Sequence, residues 1–198
     1  TPRAAHSLEA LRQLNTSGSL LIGSPTDWWD PSALTQGLCA MQWGGMWSFP
    51  IVKEALKDDF GTMAWPAFDE EGIPATFAAG WSQMVNASSP HVAEAKEYVR
   101  WLWIENVALQ KDWNLAYGFH VPPRRSVAAS ATALDDPRAV VAVEALTKYG
   151  RYLPPSWTAS MNTALGDAIA NIVKGSAALP ELQTAKSKCA RELERLLR

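Results

Sequence analysis

The chain has 198 residues, 47% of them apolar and 19% charged, with a formal net charge of −2. That balance allows a substantial core and excludes a disordered chain; thinly spread lysines and arginines exclude a nucleic-acid-binding stripe. Gly, Pro or charge interrupts every long apolar run, so no stretch reads as a bilayer-spanning helix.

In chain order, Leu8, Leu11 and Leu14 predict a helix over 7–14, stopped at Thr16-Ser17-Gly18. A polar, Trp-bearing loop follows over 23–31, then a short helix over 32–36 ended by Gly37. Residues 38–43 read as a buried strand broken by Gly44-Gly45. From Met46 the period turns helical, with Phe49, Val52, Ala55 and Leu56 on one side. Residues 60–65 read as another strand, closed by Pro66, and Asp69-Glu70-Glu71-Gly72 as a solvated turn. A third strand is expected over 76–85, where Gly80 suggests close approach of something to the backbone.

Ser89 before Pro90 marks the start of a long helix with Val92, Ala95, Val99, Leu102 and Trp103 as its apolar stripe. Trp101 and Trp113 are expected to pack between layers. Residues 117–123 read as a turn and extended segment leading into Arg124-Arg125-Ser126. Asp136-Pro137 starts a helix ending at Gly150, and Leu153-Pro154-Pro155 breaks the chain before a helix holding Met161, Leu165, Ala168, Ile169 and Ile172. Gly175 ends that helix and Pro180 opens the last. There is no internal repeat. Alternating strands and helices followed by helices indicate an α/β protein with a mixed or parallel sheet.

Ten tryptophans are present, with Trp28, Trp29, Trp43 and Trp47 grouped near Gly44-Gly45. An indole offers a flat apolar face and one N–H donor, which suits stacking on a sugar ring. The same ring also fills cores, so each Trp carries both readings. A strand entering a helix across two glycines leaves backbone N–H groups free for polar ligand atoms, although Gly-Gly also makes a plain tight turn. Cys39 and Cys189 have no Cys-x-x-Cys or nearby His partner, which removes metal and redox motifs. Cys189 falls on an apolar helix face with Leu182, Ala185, Leu193 and Leu196; a disulfide to Cys39 stays open for an exported protein.

Several segments in order resemble the extracellular solute-binding proteins of ABC-type sugar importers, the maltose-binding group. Leu34-x-x-Gly37-x-x-Ala40-Met41 followed by Gly45-Met46-Trp47 is similar to that family's strand and helix start. Phe60-Gly61 to Pro66, Thr76-Phe77 to Gly80-Trp81, Pro122-Pro123-Arg124-Arg125-Ser126 and Ile172-Val173-Lys174-Gly175 continue the pattern. The chain departs from it at Leu34, Leu38 and Met46, where the family has Phe, Lys and Pro.

The resemblance implies a type II, periplasmic-binding-protein-like fold of two lobes. This chain would supply most of the C-terminal lobe plus the crossover part of the N-terminal lobe. Residues 1–80 would open the C-terminal lobe, 81–129 would cross over, and 130–198 would add its final helices. Since family members are about twice as long, a fragment lacking most of its N-terminal lobe is expected. The chain also starts at Thr1 with no visible secretory signal.

The resemblance further implies capture of a sugar or small oligosaccharide in an interlobe cleft, without bond making and without cofactor or metal. The expected protein is a periplasmic or extracellular monomer, lipid-anchored or free, that delivers cargo to the importer's membrane permease subunits. It has no nucleic-acid partner. Trp47 and Trp81 would stack on pyranose faces beside Gly45 and Gly80. Arg124 would give forked hydrogen bonds to hydroxyls or a carboxylate, or form an ion pair between lobes. Trp157 would close an outer wall, and Trp28, Trp29 and Trp43 would line the site.

Other cargoes fit the same fold: a glycerol phosphodiester, a polyol, an amino sugar or a peptide. A scaffolding role is a further alternative, because Trp-rich surfaces also serve protein contacts. A sugar-active enzyme would need two carboxylates about 5–10 Å apart. Asp27, Asp30, Glu70 and Glu71 lie in polar loops, and His6, His91 and His120 stand apart, so no catalytic arrangement is indicated.

Overall fold

The computed structural model describes residues 1–23, 26–116 and 119–197. Ser24 and Pro25 of the expected loop, and Tyr117 and Gly118 of the expected turn, lie outside the described residues. The chain divides into two compact units, Thr1–Gly23 with Leu153–Arg198, and Ser24–Tyr152.

The first unit is built on helices α1 (Pro2–Thr16), α8 (Ala159–Val173) and α9 (Ala178–Leu196). α1 begins earlier than its leucine spacing indicated, because Thr1 Oγ1 accepts from Ala4 N and Pro2 occupies the first turn. Thr158 caps α8 in the same way through Met161 N. Gly175, at φ 118°, turns the chain into α9. α8 and α9 run antiparallel, since Asn171 pairs with Glu181 while Cys189 Sγ lies against the Met161 carbonyl.

α1 closes this unit with Ala5 and Leu8 against Ile172, Ala178 and Leu182. Glu9 supplies what α9 lacks: its carboxylate accepts from Ala178 N at 3.3 Å, where Ala177 provides no side-chain cap. A carboxylate there also faces the positive end of the helix. The buried face of α8 is Met161, Ala164, Ala168 and Ile172, one turn apart each, as an amphipathic helix requires.

The second unit carries α2 (Ser32–Thr35), a 3₁₀ turn (Met46–Ser48) leading into α3 (Phe49–Leu56), β1 (Thr76–Phe77), α4 (Val92–Arg100), α5 (Val107–Ala116), α6 (Arg125–Ala128), α7 (Pro137–Tyr149) and β2 (Gly150–Arg151). Val127, Ala131, Leu134 and Ala139 are buried around the start of α7. A polar clamp fixes that start. Asp136 caps α7 through Arg138 N, and its carboxylate holds the Arg138 guanidinium and Lys53 Nζ of α3 at 2.7–2.9 Å. Arg138 also lies 4.5 Å over the Phe60 ring and reaches Asp58. Thr62 Oγ1 donates to its carbonyl.

Among the described residues the expected mixed or parallel sheet is reduced to one parallel pair, Thr76↔Gly150 and Phe77↔Arg151, and the structure is mostly helical. The strands expected over 38–43 and 60–65 form no ladder, and the expected strand over 76–85 keeps two residues. For 38–43 the expectation of a buried strand rests on apolar content alone. Leu38 and Met41 are exposed here, and an apolar run without a neighbouring strand has nowhere to send its N–H and C=O groups.

The long helix expected from Pro90 is also divided. A π-helical turn (Trp101–Glu105) follows α4, with Asn106 N donating to Trp101 O. Asn106 then caps α5 by accepting from Leu109 N at 3.0 Å, which restarts the helix. Trp103 and Trp113 meet edge to face at 5.0 Å across this break. Both cysteines are free thiols.

Candidate functional site

The loop before α2 and the segment after it are tied together by one side chain. Gln42 Nε2 donates to the Asp30 carbonyl at 2.8 Å, and its Oε1 accepts from Leu34 N at 3.2 Å. Asp30 in turn accepts from Ser32 N and Ser32 Oγ, which hold its carboxyl below the usual carboxylate range. An ionised Asp30 engaged in this way is no proton donor. It is part of the loop's frame.

On that frame three indoles assemble. Trp28 meets Trp29 edge to face at 5.6 Å and Trp47 at 5.7 Å, and the Trp47 N–H donates to the Trp29 carbonyl at 3.2 Å. Edge-to-face contact matches the positive rim of one ring to the negative face of the next. Gly45 makes room for it: a Cβ there would overlap the six-membered ring of Trp47. The expected helix mouth is occupied by the 3₁₀ turn, whose Ser48 Oγ and N both donate to Gly45 O.

These rings face solvent. Trp28 is 71% exposed, with Trp29 half exposed and Trp47 at 38%. Trp43 turns instead to Trp65, at 4.6 Å and 75°, and both remain half exposed. Trp81 is 78% exposed and, among the described residues, makes no ring contact; a Cβ at neighbouring Gly80 would meet open space.

The remaining expected residues stand elsewhere. Arg124 donates to the Ile104 carbonyl at the end of the π-helical turn, while its own carbonyl starts α6. Trp157 belongs to the other unit, partly buried, with its indole N–H buried and unpartnered. The structure therefore brings Trp28, Trp29, Trp47 and Gly45 into contact and, within the same unit, leaves Trp81, Gly80 and Arg124 apart from that group's contacts.

Two contributors escaped the sequence reading, Gln42 and Trp65. A lone Gln inside the apolar run 38–43 was the available signal, because a polar side chain there needs a partner. Trp65 was hidden by its place at the end of an expected strand.

Residues 24–102 match the family model described as bacterial extracellular solute-binding protein, the family that the sequence motifs resemble. No curated protein matches the chain. The matched segment contains every indole of the two groups just described and Trp81. It supports a solute-binding role in transport, and the description of the matching family is of proteins that work outside the cell. It is also consistent with a periplasmic-binding-like fold. Among the described residues no helix is long and apolar enough to cross a membrane.

Proposed function

We propose that this chain captures a sugar or small oligosaccharide for an ABC-type importer, presenting the cargo to the importer's membrane permease subunits. The observation that carries this reading is the solvent-facing group of Trp28, Trp29 and Trp47, held by Gly45 and by the Trp47–Trp29 hydrogen bond. Large aromatic faces kept in water are costly unless something covers them. A pyranose ring does so with its C–H face, and its hydroxyls keep hydrogen-bond partners at the rim.

In this reading Trp81 and Gly80 add a further stacking face, Arg124 contributes from its own segment, and Trp43 lines the approach. The segments 1–80 and 130–198 form the C-terminal lobe and 81–129 the crossover to an N-terminal lobe. Closure of the two lobes about a hinge would bury the cargo. The protein works as a monomer, periplasmic or lipid-anchored at the cell surface.

Isothermal calorimetry against a panel of mono- and disaccharides tests the assignment, with Trp47→Ala as control. Saturable binding with a negative heat-capacity change, lost in the variant, is expected. Saturation by an amino acid, peptide or glycerol phosphodiester, with no response to any sugar, overturns it.

A further inference from the structure

We infer that Trp43 and Trp65 form a second stacking position, so that the ligand is at least two sugar rings long. This rests on the sugar-binding reading of the Trp28–Trp29–Trp47 group and extends it. Trp65 has no assigned role in that reading.

The argument starts from exposure. Trp43 is 57% and Trp65 50% exposed, yet their ring centroids lie 4.6 Å apart at 75°. Two indoles near a right angle present an open corner rather than a packed layer: one face can lie under a flat ring while the other indole borders its edge. If the pair served only the fold, mutual burial would be the expected arrangement, since indole is highly buried on average.

The second point is continuity. Trp43 directly follows Gln42, whose amide grips the Asp30 carbonyl and Leu34 N. Asp30 directly follows Trp28-Trp29. A single hydrogen-bonded side chain therefore ties the residue before Trp43 to the loop that carries Trp28 and Trp29. Glycines 44 and 45 complete the connection, because Trp43 and Trp47 are separated only by Gly44-Gly45-Met46. Two stacking surfaces joined by so short a segment recognise a ligand with two linked rings better than one with a single ring, because the second contact is then intramolecular.

The test uses the full chain and matched ladders: glucose with maltose and maltotriose, and glucose with cellobiose and cellotriose. Wild type, Trp65→Ala, Trp65→Phe and Trp47→Ala are titrated, with far-UV circular dichroism confirming that each folds. Trp65→Ala is expected to weaken di- and trisaccharide binding about tenfold while changing glucose binding less than twofold. Trp65→Phe, which keeps a flat ring, restores most of the loss. Trp47→Ala weakens every length.

Unchanged di- and trisaccharide affinity in Trp65→Ala, with the Trp47→Ala loss intact, overturns this inference and leaves the sugar-binding reading standing. An equal loss at all lengths in Trp65→Ala also overturns it, because Trp65 then serves the first ring or the local fold. Indifference of Trp47→Ala, or no binding by wild type to either ladder, overturns both.

Discussion

Gly45 and Gly80 carry the same letter in the same expected role, but their surroundings differ. At Gly45 a methyl group would enter the Trp47 ring, which is also tied to Trp29 and edged by Trp28. Gly45→Ala should cost about 1–3 kcal/mol, the usual range for overpacking, and should alter the near-ultraviolet circular dichroism of the indole group. Gly80→Ala should leave stability unchanged, because its Cβ meets nothing. If ligand approaches the backbone there, Gly80→Ala weakens binding with no change in the unfolding midpoint.

His120 makes a separate residue-scale prediction. Its ring stacks on Trp113 at 5.9 Å with Nδ1 buried and unpartnered, and burial pushes its pKa below the ordinary histidine value. The unfolded state therefore binds the proton more readily, so stability should fall as pH drops below about 6.5. His120→Gln should flatten that part of a urea-midpoint profile; an unchanged slope between pH 7 and 5 would remove His120 from the account.

At the scale of elements, the best-defined core position is Ile172, fully buried against Ala5 and Ala178 with Leu8 and Leu182 around it. Ile172→Ala should destabilise by about 2–5 kcal/mol in denaturant titrations monitored by helical circular dichroism. A loss under 1 kcal/mol would mean that α1 does not close on α8.

Helices in both units were legible in the sequence because their punctuation is local: Asp136-Pro137 caps α7, Gly175 ends α8 and Pro180 lies in the first turn of α9. Strands were not. An apolar run such as 38–43 states only that it can be covered, and pairing depends on a neighbour that the run itself does not encode. The break at Asn106 was missed for a related reason. Trp101 to Glu105 keeps helical character, and the stop comes from an asparagine competing for the next turn's N–H. Of the candidate site, the grouping of Trp28, Trp29 and Trp47 around Gly45 followed from proximity in sequence. The Trp43–Trp65 pair spans twenty-two positions and has no local signal.

For the whole molecule, acid provides a way to address the two units separately. Arg138, with Lys53, holds the Asp136 carboxyl far below its ordinary range, and Arg195, with Thr158, brings Glu192 to about 2. Both folded values lie below those of an unfolded chain, near 4. The unfolded state then binds more protons as pH drops, so these pairs stabilise above about pH 4.5 and lose that contribution as pH falls toward 2. Both carboxylates are partly buried, but Lys53 and Arg195 reach them from solvent, which limits the size of each contribution; Asp136 has three groups to lose and Glu192 fewer.

The probes divide with the units. Nine of the ten tryptophans lie in residues 24–152, whereas the three longest helices, α1, α8 and α9, belong to the other unit. Asp136→Asn should flatten the acid loss seen by tryptophan fluorescence between pH 4.5 and 2 while leaving the helical circular dichroism profile nearly unchanged. Glu192→Gln should do the reverse, with a smaller effect. If either substitution moves both probes by the same amount, the chain unfolds as one cooperative body, and the division at residues 23–24 and 152–153 has no thermodynamic counterpart.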